Sequence, residues 1–392
     1  MASACRGNTS SIVGTLAVNA TRRGSSMSSN IYQRQSRGML LHVARHAIDG
    51  TVPAEAPAVD WLSLIHDAEA GHLTPLLDRF ISAGRHCPSD AAIQLLRVLI
   101  LRNGATHQAR SRAIAAILDA FNSRGLEVVV LKGAALAWSI YPSPDLRPMS
   151  DLDLLIDRTA ADAAQTELRS LGFHVDSGSR RFGRNAHHLP VTSRSEGGAC
   201  INVELHVDAL SRDSRASVAL HNLTAPPRPF PLGGHTAYAL GHTDALRHLA
   251  HHLLEPSPDG CVRLIGIIDL ARYALRFHDD IDWPLVEARF PFITNALACL
   301  HHLVPLPVQL KRYAPLPSSV PPAGVGETMR PLRSIVGERR PVTAIAFELF
   351  NPPDWWMHAY YEVPPGQSLT TAHFLRHPSR VAHWFAQRMA GL

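Results

Sequence analysis

The sequence predicts an α+β protein in which one compact α/β unit sits between helical segments. Three observations predict it. Apolar residues recur at three- and four-residue spacing on both sides of the chain centre. A short β-branched run, Glu127-Val-Val-Val-Leu131, comes soon after Gly125. From there strand-like and helix-like stretches alternate as far as about Leu210.

At 392 residues the chain is long enough for two or three units of roughly 100–200 residues each. Hydrophobic residues make up 46% and charged residues 18%, which suits an ordinary packed core. No stretch approaches the ~18 consecutive apolar residues of a spanning helix, so an integral membrane protein is not expected. The balance of 38 basic to 33 acidic residues, formally +5, is too mild to mark a nucleic-acid binder. Nearly all the basic residues are arginine; Lys132 and Lys311 are the two lysines. Cys5, Cys87, Cys200, Cys261 and Cys299 are odd in number, far apart and without a CxxC pair. Neither a disulfide framework nor a zinc ribbon is indicated, and a reduced, cytoplasmic setting is expected.

Residues 1–38 stand apart from the fold argument. The first 48 residues hold no Asp or Glu, six arginines and many serines. That composition suits a transit peptide, a disordered basic tail or an over-extended start, with Met27 and Met39 as later starts. From Leu40 to Arg124 the pattern is helical. Trp61, Leu62, Leu64, Ile65 and Ala68 recur at three- and four-residue spacing, as do Leu73, Leu76, Leu77 and Phe80. Asp90 reads as an N-cap for Ala91–Leu101 and Gly104 as its stop; a second helix, His107–Ser123, ends at Gly125.

The α/β unit, residues 125–223, opens with a buried strand, Glu127–Leu131. Lys132-Gly133 leads into a helix, Ala134–Ile140, and a loop, Tyr141–Ser150, holds Pro142, Pro144 and Pro148. Leu152–Ile156 reads as a second strand and Thr159–Ser170 as a helix. Gly172–Asp176, His187–Thr192 and Ile201–Val207 supply further strands. Thr224–Leu232 holds four prolines and reads as a connector. Helices are expected over 243–254, 262–277, 283–289 and 294–304. A Pro-rich linker covers 305–340, and a helical tail, 341–392, closes the chain.

Chemistry concentrates between Leu131 and Ile156. Strand side chains alternate faces, so Asp151 and Asp153 point the same way with Cα atoms ~6.7 Å apart, able to converge on a divalent cation. Asp157 lies ~13 Å beyond Asp153 along an ideal strand, too far to share it. An isolated Asp-x-Asp is usually just a polar strand entrance. Here Lys132-Gly133 precedes it at a strand–helix junction, where free backbone N–H groups attract phosphate. Glu204 is the best third carboxylate, a lone acid in the apolar run Ile201–Val207; it shares a face with His206, and Asp208 is the fallback. His248 and His252, one turn apart, could with Asp269 form a histidine–aspartate metal site, though helix packing explains them more simply. Arg263 and Arg272 read as ion-pair partners of Asp269. His187-His188 reads as surface or packing histidine, and Arg180, Arg181 and Arg184 as an exposed basic loop.

The order strand, Lys132-Gly133, helix, loop, Asp151-x-Asp153, strand resembles the nucleotidyltransferase superfamily related to polymerase β. More narrowly, Leu131-Lys-Gly, Tyr141, Arg147 and Asp151-Leu-Asp-Leu-Leu155 are similar to a poorly characterised bacterial group of nucleotidyltransferases. Its later features match His187-His-Leu-Pro190, Glu204-Leu-His206 and Asp269-Leu-Ala-Arg272. The resemblance covers roughly Leu40 to Leu392 and implies a polymerase β-like core, a mixed sheet with helices, flanked by helical segments. It implies that Asp151, Asp153 and Glu204 hold two Mg²⁺ ions and that Lys132, Gly133 and Arg147 bind a nucleoside triphosphate. An NMP group would then pass to an unidentified hydroxyl acceptor, which could be a small molecule, a peptide or a nucleic acid. No RNA-binding signature stands beside it.

Two departures bear on this. Ala134 stands where the superfamily often places a phosphate-contacting Ser, and the spacer to Asp151 is long. Both are compatible with a degenerate homologue that only holds a nucleotide or a partner. A histidine–aspartate metal phosphohydrolase in the helical half is the second rival.

Overall fold

The structure is a computed structural model and describes residues 26–53, 59–84, 86–175, 187–210, 217–254, 263–313, 341–352, 354–361, 363 and 366–389. Four helices come first: α1 (Ser26–Asp49), α2 (Trp61–Ala70), α3 (Thr74–Ala83) and α4 (Asp90–Ser123). Helix α1 thus begins inside the segment set aside above, and residues 1–25 lie outside the described residues. In α2, Leu64, Ile65 and Ala68 are buried, and in α3, Leu76, Leu77 and Phe80. Helical periodicity marks these positions, while Leu62 of the same run is exposed.

Helix α4 corrects two expectations. Its N-cap is Ser89, whose hydroxyl accepts from Ala92 N, not Asp90. It also runs through Gly104 as one helix of 34 residues. A mid-helix glycine costs about 1 kcal/mol. Burial on both sides outweighs that: Leu96 and Leu99 enter the helical core, while Ala113, Ile114, Ile117 and Phe121 pack on the sheet. The helix ends at Gly125, whose φ of +64° suits the glycine that terminates a helix, with Leu126 N donating to Phe121 O at 2.9 Å.

Seven strands form one mixed sheet: β1 (Val128–Val130), β2 (Asp151–Ile156), β3 (His174–Val175), β4 (Thr192–Glu196), β5 (Ala199–His206), β6 (Arg228–Leu232) and β7 (His235–Ala239). Their order is β3-β4-β5-β2-β1-β7-β6. The β2–β5 and β1–β7 pairs are parallel and the rest antiparallel. Val130, Leu152, Leu154, Ile156, Ile201, Val203 and Leu205 face a core shared with α4, α5 (Lys132–Ser139) and α6 (Ala161–Ser170). On the opposite face Val129, Leu131 and Leu155 meet Leu210, Val218 and Leu240.

Two stretches differ from the sequence expectation. The expected connector contains β6 and continues into β7 as a hairpin turned at Gly233-Gly234, both with positive φ. The strand expected at His187–Thr192 is displaced. The ladder with β5 starts at Thr192, and His187–Leu189 instead runs beside the end of β5, Leu189 N donating to Leu205 O at 2.7 Å.

Helices α7 (His242–Leu254), α8 (Leu264–Arg276), α9 (Trp283–Arg289) and α10 (Pro291–Leu303) follow. Short helices at Val308–Lys311, Val342–Phe350, Asp354–Tyr360 and His377–Met389 complete the described chain. Residues 314–340, most of the expected linker, lie outside the described residues. The N-terminal helices and the helices after the sheet share one core: Met39, Val43, Leu77 and Phe80 join Leu246, Ile268, Tyr273 and Leu297. Among the described residues no helix is long and apolar enough to cross a membrane.

Candidate active site

Strands β2 and β5 lie side by side and parallel, in a register that pairs Asp151 with Asn202, Asp153 with Glu204 and Leu155 with His206. Because side chains alternate, Asp151, Asp153, Glu204 and His206 all project from the face opposite α4–α6. The intervening Leu152, Leu154, Val203 and Leu205 are buried on the other face and fix that register; a one-residue slip would expose them.

Lys132 joins the cluster from the end of β1. Leu131 N donates to Asp153 O at 2.9 Å, which ties the strand–helix junction to the carboxylate strand. Lys132 then takes a φ of +42°, a left-handed conformation costly for a side chain with a Cβ. Its Nζ stands 3.1 Å from Asp153 Oδ1. His206 Nε2 lies 2.8 Å from the same oxygen and 3.5 Å from Glu204 Oε2. Asp153 is 2% exposed, so these contacts form in a poorly solvated place.

Burial would push the Asp153 carboxyl up, but the Lys132 charge and the His206 hydrogen bond hold it well below the usual carboxylate range. For His206, burial is likewise outweighed by its hydrogen bonds to Asp153 and Glu204, and the ring is pushed toward the protonated form. Glu204 is held low, chiefly by its hydrogen bond with His206. Lys132 is pushed up by the three carboxylates against its own burial. Asp151 moves the other way. Burial and the neighbouring charges of Asp153 and Glu204 raise its carboxyl.

That asymmetry bears on whether a cation fits. Three carboxylates face one lysine and one histidine that is pushed toward its protonated form, so acidic groups outnumber basic ones. Lys132 and His206 both address Oδ1 of Asp153, and among the described residues its Oδ2 accepts no hydrogen bond. One ligand atom each from Asp153, Glu204 and His206 falls within 4.8 Å of the others. Two carboxylates and an imidazole fit a metal ion, and Asp151 stands outside that group.

Gly133 has a steric reason. A Cβ there would sit 3.1 Å from Met149 Cβ and 3.6 Å from Arg147 Nη1, so the loop before β2 packs directly on the α5 backbone. Arg147 pairs with a different carboxylate, Asp269. Its Nε lies 3.0 Å from both oxygens of Asp269, and Nη2 is 2.7 Å from Oδ2. Tyr141 donates to Asp269 Oδ1 at 2.7 Å. Asp269 is therefore paired by Arg147, where Arg263 or Arg272 was expected; Arg272 instead donates to Ile140 O at 2.7 Å and to Ala47 O.

Other candidates settle elsewhere. Asp208 Oδ1 accepts from Leu210 N and Val218 N, both at 2.9 Å, and Oδ2 from Ser217, so this fallback ligand closes a loop. Asp157 caps a turn through Thr159. His248, His252 and Asp269 do not converge. Asp269 is taken by Arg147 and Tyr141, and burial keeps His248 neutral, so the phosphohydrolase reading has no site among the described residues. Arg180, Arg181 and Arg184 lie outside the described residues.

Two contributors escaped sequence reasoning. Arg110 of α4 donates to Met149 O and, at 3.2 Å, to Ser150 O, holding the entrance of β2 beside Asp151. Nothing in an arginine-rich helix marks it. His206 as a carboxylate partner was foreshadowed only by its i+2 spacing from Glu204.

A lysine and three carboxylates thus gather on one sheet face, beside a helix start that packs closely at Gly133. The family model for uncharacterised nucleotidyltransferases matches residues 57–303, and the chain belongs to that family. No curated protein matches it. The solution structure of the antibiotic-resistance factor ANT(2'')-Ia aligns at 14% identity over 50% of this chain and 97% of that one, with a TM-score of 0.33. A likeness that weak adds nothing to the argument from family and site.

Proposed function

We propose that the chain is a Mg²⁺-dependent nucleotidyltransferase that moves an NMP group from a nucleoside triphosphate to a hydroxyl acceptor and releases pyrophosphate. The observation that carries this reading is the β2–β5 register, which makes Asp153 and Glu204 direct neighbours with Asp151 on the same face. In the transfer, the acceptor oxygen forms a bond to the α-phosphorus while the bond from that phosphorus to the α–β bridging oxygen breaks. Pyrophosphate leaves with the electron pair, and the hydroxyl proton passes to solvent or a nearby base.

Divalent cations bound to the carboxylates would screen the triphosphate and lower the pKa of the acceptor hydroxyl. Asp151, Asp153 and Glu204 would hold them. Lys132 keeps Asp153 ionised and adds positive charge where the triphosphate tail reaches the start of α5. His206 locks Asp153 and Glu204 in one orientation. Leu131 and the close packing at Gly133 keep the helix start against the carboxylate strand. Arg147 acts through the loop it anchors, not on the phosphates.

The test is incubation of the purified protein with Mg²⁺, each α-labelled nucleoside triphosphate and a cell extract as the source of acceptors. Label should appear in a product with wild type and vanish with Asp153→Asn. Transfer that survives this substitution overturns the site. Absence of transfer with every triphosphate overturns the activity and leaves the binding-only reading, in keeping with the apolar Ala134 at the helix start.

A further inference from the structure

The loop that delivers Asp151 has few bonds of its own, chiefly Leu146 N to Ser143 O at 3.1 Å, Arg147 N to Pro144 O at 3.2 Å and the Ser143 hydroxyl to Asp145. Residues 141–150 include Pro142, Pro144 and Pro148, which carry no N–H, and their regular structure is a single short turn, Pro144–Leu146. Several further contacts reach it from outside. Arg272 grips Ile140 O and stacks on the Tyr141 ring at 4.9 Å. Asp269 takes the Tyr141 hydroxyl at one end of the loop and the Arg147 guanidinium near the other. Arg110 holds Met149 and Ser150 by their carbonyls. Asp269 is 2% exposed and sits on α8, well over a hundred residues further along the chain.

We propose that Asp269 is a positioning residue for Asp151. By clamping both ends of the 141–150 loop, helix α8 sets where the first carboxylate stands relative to Lys132 and Glu204. The helical half is thus part of the active site although it contributes no group to the cation. The inference rests on the proposed function for its catalytic consequence only; the clamp itself is a structural claim. A desolvated ion pair is a costly way to gain stability alone, since apolar packing of equal volume does as well or better. Its return here is geometric, because a bidentate arginine fixes distance and angle together.

The test uses the full-length chain with Asp269→Asn, and with Tyr141→Phe as the milder change should Asp269→Asn fold poorly. Hydrogen exchange is read by peptide and transfer kinetics by kcat and KM. Exchange over 141–151 should speed up about tenfold or more, with β5 and α4 unchanged. The kcat should fall about ten- to a hundredfold, since small misplacements of reacting groups cost that much, with KM for the triphosphate within about threefold. Asp269→Glu should recover part of kcat. Faster exchange across the whole chain, or activity that merely follows the folded fraction, would show a structural role only and overturn the proposal. Tighter triphosphate binding in Asp269→Asn would also overturn it, because Arg147 would then be a substrate ligand that Asp269 holds in check. If wild type transfers nothing, the proposed function fails while the exchange data still decide the clamp.

Discussion

Replacing Lys132 separates the two costs the site carries, an ion pair and a strained backbone. The Nζ–Oδ1 distance of 3.1 Å corresponds to about 5 kcal/mol of attraction at an effective dielectric of ~20. Desolvation of both charges offsets much of that, but removing one partner strands a buried carboxylate, which costs about 3–5 kcal/mol. The lysine side chain keeps 20% exposure, so about 3 kcal/mol is the value to expect for Lys132→Met. In EDTA this should lower Tm by roughly 4 °C for a chain of this size. Mg²⁺ should recover most of the loss, because a divalent ion replaces the missing positive charge among Asp151, Asp153 and Glu204. Lys132→Gly loses the same charge but relieves the left-handed φ, and should be about 1 kcal/mol more stable than Lys132→Met. Differential scanning fluorimetry of both variants, with EDTA and across a Mg²⁺ titration, measures all of this. A Lys132→Met protein as stable as wild type in EDTA, or indifferent to Mg²⁺, would refute the view that lysine and cation share one excess of negative charge.

Three other outcomes follow from the same geometry. Gly133→Ala gains about 1 kcal/mol of helix propensity but forces a contact at 3.1 Å on Met149, an overpacking of about 1–3 kcal/mol, so urea unfolding should show net destabilisation of up to ~2 kcal/mol; a stabilised variant would be contrary evidence. Asp208→Ala removes the acceptor of two backbone N–H groups and one hydroxyl and should cost about 3 kcal/mol, while calorimetry shows cation affinity within about threefold of wild type. His206 has a raised folded pKa, so its contribution to stability is complete below 6.5, its ordinary value, and is lost as pH rises through the folded value. Metal-free wild type should therefore lose stability above pH 6.5 in denaturant titrations and His206→Gln should not; parallel pH profiles would contradict this. Asp153 has the opposite sign: its contribution is present above 3.8 and is lost only in strong acid.

Much of the fold was legible because burial writes a period into the chain. The β-branched run of β1, the alternation of Asp151–Ile156 and the helical stripes of α2 and α3 all correspond to real faces. The missed hairpin shows where the code is ambiguous. Pro229 and Pro231 argue against a strand in general, yet β6 is the edge of the sheet, where a missing N–H need cost no ladder bond. Strand β4, Thr192–Glu196, is polar and carries no apolar run to announce it. At the site, spacing alone placed Asp151 with Asp153 and Glu204 with His206. It could not supply the register that makes Asp153 and Glu204 neighbours. Nor could it foresee that Arg147 would pair with Asp269, since an ion pair between residues so far apart in sequence leaves no local trace.

The position of β1 has a consequence for how the chain is made. β1 is central, flanked by β2 on one side and by β7 on the other, and β7 ends at Ala239. On the ribosome, the first strand and both aspartates therefore emerge long before β7, which meets β1 at Val130–Ala239, has been synthesised. Throughout that interval the edge at Val130 lacks its β7 partner and is available to any passing extended segment. A nascent chain halted shortly before residue 235 should depend on chaperones far more than one released just past 240.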